Sequence, residues 1–217
     1  MDELTAIQRV AIWALPVLFA ITVHEVAHGL VAKWLGDPTA KMLGRLTLNP
    51  VKHVDPVGTL LVPGVLMLLG GVVFGWAKPV PVTKENLRNP RRDMALVAAA
   101  GPVANILMAI LWAVLMKIGF TIDGSISWLA QPLIYMGGAG ITINVVLAVL
   151  NLLPLPPLDG GRIASGLLPG RLSIKFDRLE PYGFMIILTL LLTGILGQIL
   201  LPPIGVLQKL IYMAMGI

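Results

Sequence analysis

Long apolar stretches make up most of the 217-residue chain. A membrane-spanning helix needs about 20 predominantly apolar residues, and five stretches are long enough to be such helices. A sixth is shorter and carries Gln208 and Lys209, as expected of a partial span or an interfacial helix. The pattern predicts an all-α polytopic membrane protein, a bundle of about five to six membrane helices. The five long stretches are 7–35, 57–76, 94–118, 128–155 and 181–201, and the sixth is 204–217.

The second stretch differs from the others because Pro63, Gly64, Gly70 and Gly71 interrupt it. Irregular backbone at membrane depth must be shielded by protein or water. Basic residues flank this stretch on both sides, and basic loops lie mostly in the cytoplasm. A single crossing would place the two flanks on opposite sides, so we predict a re-entrant or broken element. The basic residues are Lys33, Lys41, Arg45 and Lys52 before it and Lys78, Lys84, Arg88, Arg91 and Arg92 after it.

The charges of the other loops predict the orientation. The loop 119–127 contains no Lys or Arg and is expected outside, whereas 160–179 carries four basic residues and is expected in the cytoplasm. The first helix then ends in the cytoplasm, although Arg9 weakly opposes this orientation. The acidic start of the chain lacks the basic region of a signal peptide, so we expect the first stretch to remain as a helix.

Two short segments, 41–48 and 76–83, contain β-branched residues beside the predicted membrane elements. We predict that they form short strands near the membrane surface. The chain shows no internal repeat and no second soluble domain, so we expect residues 1–217 to form a single membrane-embedded domain. Its catalytic core is predicted at about 7–162 and its C-terminal helices at about 181–217.

Composition agrees with the membrane class and narrows the chemistry. Hydrophobic residues form 57% of the chain and charged residues only 12%, against about 25% charged residues in soluble domains. There is no cysteine, so any metal must be bound by His, Asp or Glu. The net charge of +5 is explained by cytoplasmic loops near anionic lipid rather than by nucleic-acid binding.

The first apolar stretch contains the sequence His-Glu-Val-Ala-His at positions 24–28. On a helix, His24 and His28 project from one face, one turn apart, so both imidazoles can bind one zinc ion. Glu25 can lie beside a water on that zinc and accept its proton as the water attacks a carbonyl. The alternative is a pair of histidines that only bond to neighbours, but ionisable groups inside a membrane segment are costly and usually functional.

A catalytic zinc usually has three protein ligands, and Asp159 is the best candidate for the third. It lies in the segment 151–162, where prolines prevent a regular helix and glycines permit a tight turn toward the bundle interior. The predicted topology places it on the same side as the histidines. The alternative is an Asp159 that caps a turn and pairs with Arg162, and the residues alone leave both open.

The His-Glu-Val-Ala-His segment at 24–28, followed by Asn-Leu-Leu-Pro-Leu-Pro-Pro-Leu-Asp-Gly at 151–160, resembles the site-2 protease family of intramembrane zinc metalloproteases. The resemblance spans about residues 22–162. It implies that Asp159 is the third ligand of one zinc ion per chain. It further implies cleavage of transmembrane segments of other proteins near the cytoplasmic side. The chain looks like a short, minimal bacterial-type member in the cell membrane of a prokaryote, without the PDZ or nucleotide-sensing domains of some relatives.

Three further polar residues are candidates for binding substrate or the oxyanion. The segment 101–105 resembles a family motif whose Asn has this role, here Asn105, and the alternative is an Asn that packs helices together. His53 lies in 49–58, which resembles a segment of the short bacterial-type members. It can reach the zinc or the substrate entrance, or serve as a hydrogen-bonding loop residue. Asn151 is a candidate for positioning the substrate backbone.

Two other functions compete with the protease. A transporter or channel would explain intramembrane His, Glu and Asp as an ion path, but not the spacing of the motif. A catalytically inactive relative that binds membrane helices would retain the fold, yet the intact motif counts against it. As partners we expect a membrane-protein substrate and the lipid bilayer, and no nucleic acid. The sequence predicts no oligomeric state.

Overall fold

The computed structural model describes residues 5–61, 78–124 and 126–217, and these residues form helices and connecting segments without a strand. The predicted all-α class is therefore confirmed. Short helical turns lie at Thr39–Met42, Pro50–Lys52, Pro56–Leu61 and Lys84–Asn86. The longer helices are α1, Ala6–Trp34; α2, Pro90–Ile122; α3, Ser127–Asn151; α4, Asp159–Leu167; α5, Gly170–Asp177; α6, Glu180–Leu192; and α7, Ile195–Met215.

Among the described residues, α1, α2, α3 and α7 are long and apolar enough to cross a membrane. The protein is therefore an integral membrane protein, and the first, third and fourth predicted stretches are confirmed as helices. The predicted re-entrant element at 57–76 lies mostly outside the described residues, which include only its start in the turn Pro56–Leu61.

The C-terminal division predicted at residues 202 and 203 is wrong. The chain instead breaks at Gly194, whose φ of 75° lies in the left-handed region that favours glycine. Pro202 and Pro203 lie inside α7. Proline has a φ close to that of a helix, and membrane helices tolerate it where neighbouring groups satisfy the freed carbonyls. The predicted fifth stretch, 181–201, is therefore divided between the 13-residue α6 and the start of α7. The predicted short sixth element, 204–217, is the C-terminal part of the span α7.

The two predicted surface strands are also absent from the described part of the chain. Residues 41–42 end a helical turn, and 43–48 have no regular structure. Residues 78–83 run as an irregular segment, hereafter the 78–83 segment. Pro79 and Pro81 remove two amide donors from it, so it cannot form a continuous ladder. The amides of Lys78, Val80 and Thr83 bond to the His53 carbonyl and to the side chains of Glu25 and Asp37 instead.

Helix packing brings distant parts of the chain together. The helix α2 packs along α3, α1 lies against both, and α4 packs against α2. Buried apolar side chains fill the space between α2, α3, α6 and α7, with Trp112, Ile141 and Val145 among them. Because α2 contacts both α1 and α4, it holds the predicted site residues of α1, His24 to His28, close to Asp159 at the start of α4.

Candidate metal centre

The two histidines of α1 meet as their spacing predicts. His24 and His28 lie one turn apart, and their Nε2 atoms are 3.0 Å from each other. Both side chains are almost fully buried, about ten residues or fewer before the end of α1 at Trp34. A helix rises about 1.5 Å per residue, so the pair lies inside the apolar span rather than at its end.

Asp159 reaches the histidines through an irregular loop. After α3 ends at Asn151, the chain turns at residues 152–158 and α4 begins at Asp159. Gly160 lies against the backbone carbonyls of Leu152 and Leu153, with no room for a Cβ. The turn therefore closes tightly and directs the Asp159 carboxylate inward, with Oδ2 3.3 Å from Nε2 of His24 and 3.4 Å from Nε2 of His28. Among the described residues, Asp159 forms no ion pair with Arg162, the alternative that the sequence left open.

The outer nitrogen of each imidazole contacts an oxygen. His24 Nδ1 lies 2.6 Å from Asn105 Oδ1, and His28 Nδ1 lies 2.7 Å from the carbonyl oxygen of Val97. Since both partners accept hydrogen bonds, both Nδ1 atoms carry the proton of a neutral imidazole. The tautomer is assigned from these partners. Both Nε2 atoms then present lone pairs to each other and to the Asp159 carboxylate, an arrangement that favours a bound cation.

These three residues fit zinc. Their ligand atoms are separated by 3.0 to 3.4 Å, and tetrahedral ligands of zinc are about 3.3 Å apart when each lies about 2 Å from the metal. Asp159 Oδ2 is buried without a hydrogen-bond partner. A carboxylate must be ionised to bind a metal, and a cation shared with the two Nε2 lone pairs would supply the partner that this buried oxygen lacks.

Asn105 lies behind the metal centre rather than at its open side. It is fully buried, and its Nδ2 donates to the Ala20 carbonyl at 3.2 Å and to Asn144 Oδ1 at 2.9 Å. Asn144 in turn donates to the Gly140 carbonyl at 2.9 Å. Both donor hydrogens of Asn105 are thus committed to protein, while its oxygen contacts His24. The sequence indicated Asn144 as a residue for packing or bonding between helices, and its contact with Asn105 agrees with this. Sequence reasoning did not anticipate the Val97 carbonyl, because a backbone oxygen belongs to no metal-binding motif.

A cavity of about 160 Å³ opens beside the three ligands. Glu25 lines it, and Glu25 Oε2 accepts a hydrogen bond from the Val80 amide at 2.7 Å. Asn151 and Arg162 also line the cavity, although Asn151 Nδ2 donates to the Leu147 carbonyl. The rest of the lining is apolar: Pro79, Val80, Val82, Val97, Pro157 and Leu158.

His53 lies apart from this cavity. It is almost fully buried, and its Nε2 contacts the carbonyl oxygen of Thr47 at 2.9 Å. It does not line the cavity, and it is not part of the group of ligands formed by the described residues. Its own carbonyl accepts a hydrogen bond from the Lys78 amide at 2.9 Å. His53 therefore connects two loops near the site.

Gly101 provides the space that the two imidazoles occupy, and we predict that Gly101→Ala weakens zinc binding. A Cβ at this position would lie 2.5 Å from His24 Cε1 and 2.5 Å from His28 Nε2, so both rings would have to move. Shifts of groups around a metal typically cost about 10- to 100-fold in affinity. Zinc affinity is measured by competition with a chelator.

The matched control is Gly138→Ala in α3, where an added Cβ meets nothing within 4 Å. That variant should bind zinc as the unmodified protein does. Equal affinities for Gly101→Ala and Gly138→Ala would show that the rings tolerate the added methyl group.

The apolar helices make this an integral membrane protein, and His24, His28 and Asp159 form its candidate zinc centre. The profile described as Peptidase family M50 matches residues 12–128 and 121–194. The chain belongs to this family, the site-2 protease family, and is a zinc metalloprotease. No solved structure matches the chain.

Relatives are similar to the chain over about half of its length or more. A candidate zinc metalloprotease, YwhC of Bacillus subtilis strain 168, is 40% identical over 189 residues, which cover 87% of this chain and 83% of YwhC. Another, Rip2 of Mycolicibacterium smegmatis, is 31% identical over 83% of this chain and 66% of Rip2. A third, MJ0611 of Methanocaldococcus jannaschii, is 32% identical over 48% of this chain and 49% of its own length.

Proposed function

We propose that this protein is an intramembrane protease that hydrolyses peptide bonds in or near the transmembrane segments of other proteins. The observation that carries the proposal is the meeting of His24, His28, Asp159 and Glu25 in one cavity between apolar helices. A hydrolytic centre placed inside a span can act on substrates held in the bilayer, because both partners share the same lipid environment.

Each polar residue of the site has a proposed task. His24, His28 and Asp159 would hold the zinc, which when bound lowers the pKa of water to about 7 and polarises a carbonyl. Glu25 keeps one oxygen on the Val80 amide, which leaves the other to accept a proton from the attacking water and deliver it to the leaving amine. We assign Asn105 to holding the His24 ring, since it contacts Nδ1.

The substrate must reach the cavity in an extended form. Amides of a helix are engaged in the helix's own hydrogen bonds, so a transmembrane substrate has to unwind locally before its carbonyl can be attacked. The apolar walls formed by Pro79, Val80 and Leu158 suit side chains of a membrane segment. We propose that Asn151 and Arg162 bind its backbone oxygens, since both line the cavity.

We propose that the cavity opens toward the cytoplasm of a prokaryotic cell. Arg162 lines the cavity, and the residues that follow it in α4 and α5 include Arg171 and Lys175. Basic residues close to the ends of spans mark the cytoplasmic side. Water would then reach Glu25 from the cytoplasm.

Metal removal tests the proposed activity. The purified protein is reconstituted in lipid vesicles with a panel of single-span substrates, and cleavage products are followed by mass spectrometry. We expect cleavage within or beside the spanning segment, abolition by a zinc chelator, and recovery when zinc is restored. The expected ratio is one zinc ion per chain.

The same vesicles separate the protease from its rivals. Ion flux without cleavage would favour a transporter or channel, and substrate capture without cleavage would favour an inactive helix-binding protein. Cleavage confined to soluble peptides, with none of the membrane substrates cut, would contradict an intramembrane protease.

A further inference from the structure

Asp37 is a buried carboxylate outside the metal-ligand group that the described residues form. It lies three residues after the end of α1 at Trp34 and is fully buried. It accepts hydrogen bonds from the Thr39 amide at 3.0 Å, from Asn86 Nδ2 at 3.0 Å and from the Thr83 amide at 2.7 Å. Burial raises the pKa of Asp37, but the bonds from Thr39, Asn86 and Thr83 outweigh it and lower the pKa. The group is therefore an ionised anchor, which its donors stabilise.

This anchor fixes one end of the 78–83 segment. Asp37 holds Thr83, while the other end is held at Lys78. The Lys78 amide donates a hydrogen bond to the His53 carbonyl at 2.9 Å. The Lys78 carbonyl accepts a hydrogen bond from Arg45 Nη2 at 2.9 Å. The segment is thus fastened on both sides of its centre.

The centre of the segment contacts Glu25. Pro79 and Pro81 have no amide hydrogen, so Val80 and Val82 carry the amide hydrogens between the two fastened ends. The Val80 amide donates to Glu25 Oε2 at 2.7 Å. Thr83 is three residues away, which is about 10 Å in an extended chain. A shift of Thr83 would therefore move the Val80 amide relative to the carboxylate.

We propose that Asp37 is a positioning residue for the hydrolytic reaction, because it fixes Thr83 so that Val80 donates its amide hydrogen to Glu25. This inference rests on the proposed function. Asp37 itself touches neither substrate nor zinc ligands. It acts through the backbone of the 78–83 segment, which determines which carboxylate oxygen of Glu25 is engaged and which is free to accept a proton.

Three variants test this path. Asp37→Asn keeps the size of the side chain but turns an amide NH₂ toward the Thr83 amide or toward the Thr39 amide. Val80→Pro removes the donor to Glu25 in a segment that already contains two prolines. Asp93→Asn is the matched control, because Asp93 is also buried and accepts a hydrogen bond from a backbone amide, but that amide belongs to Asn89, at 2.8 Å, and not to the 78–83 segment.

We expect Asp37→Asn and Val80→Pro each to lower kcat by about 10- to 100-fold, as misplacement of a catalytic group by about 1 Å does. KM should change less than about twofold, and each variant should retain one zinc per chain. In the double variant, Asp37→Asn should cause no further loss beyond Val80→Pro, because both remove the same contact. Asp93→Asn should retain its kcat.

Three results would overturn the proposal. The first is a kcat of the double variant that falls by the product of the two single losses. The others are an unchanged kcat in Val80→Pro and equal losses of kcat in Asp37→Asn and Asp93→Asn. Hydrogen exchange of the Val80 amide supplies a readout that does not need turnover. Its protection should fall in Asp37→Asn and persist in Asp93→Asn. If the unmodified protein cleaves no substrate, the proposed function fails, whereas unchanged Val80 protection in Asp37→Asn defeats only the positioning role.

Discussion

Glu25→Gln is expected to lower kcat about a thousandfold while leaving one zinc ion bound per chain. Glutamine retains an oxygen that can accept the Val80 amide bond seen at 2.7 Å, so the cavity should keep its shape. It cannot accept a proton from water at neutral pH, and loss of a general base typically costs about 10²–10⁴-fold. Glu25 is not part of the ligand group formed by His24, His28 and Asp159, so zinc binding should persist.

The measurement combines cleavage kinetics in lipid with zinc content by atomic spectroscopy. Glu85→Gln is the matched control, because Glu85 is exposed in the turn Lys84–Asn86 and does not line the cavity. It should cleave substrate at the unmodified rate. Near-normal turnover by Glu25→Gln would remove Glu25 from the chemistry, and loss of zinc would show that it supports the metal instead.

The central part of the site was predictable because local rules determine it. The spacing of His24 and His28 on a helix fixes their shared face whatever surrounds them. The proline- and glycine-rich loop before Asp159 shows that the chain turns there. The structure brings these three residues together as the sequence predicts. Local spacing does not, however, decide between a ligand and a partner of Arg162, since that depends on how α4 packs against α2.

The parts that were not predictable depend on contacts between distant residues. The sequence locates Asn105 but not the direction of its amide, which the carbonyl of Ala20 and the side chain of Asn144 set. Likewise, β-branched residues suggested strands in 41–48 and 76–83. In the described part of these segments, prolines and the side chains of Glu25 and Asp37 decide where the amides bond. Such partners lie 39 to 85 residues apart.

The helix boundary near the C-terminus shows a different limit. Two adjacent prolines are a strong signal for a helix end in a soluble protein, yet here they lie within α7. A single glycine at 194, with its positive φ, ends one helix and starts the next. In a membrane the neighbouring helices and side chains can satisfy the carbonyls freed by proline. Two adjacent prolines therefore do not reliably predict the end of a membrane helix.

Asp159→Ala is expected to abolish high-affinity zinc binding, and cleavage with it. The variant removes one of three ligands, so two imidazoles with Nε2 atoms 3.0 Å apart would hold the ion alone. Loss of a partner behind a ligand already costs about 10- to 100-fold in metal affinity, so loss of the ligand itself should exceed about 100-fold. Affinity is measured by chelator competition, and cleavage is assayed at rising zinc concentrations.

The outcome at high zinc distinguishes a ligand from a group that only shapes the loop. If Asp159 binds the metal, excess zinc should restore occupancy only in part, and Asp159→Glu should retain more affinity than Asp159→Ala because a carboxylate remains. Asp177→Ala, at the end of α5 and outside the ligand group, should leave affinity unchanged. Full zinc affinity in Asp159→Ala would mean that the two histidines bind the ion with another residue, and the hydrolytic site would then have to be built around that residue.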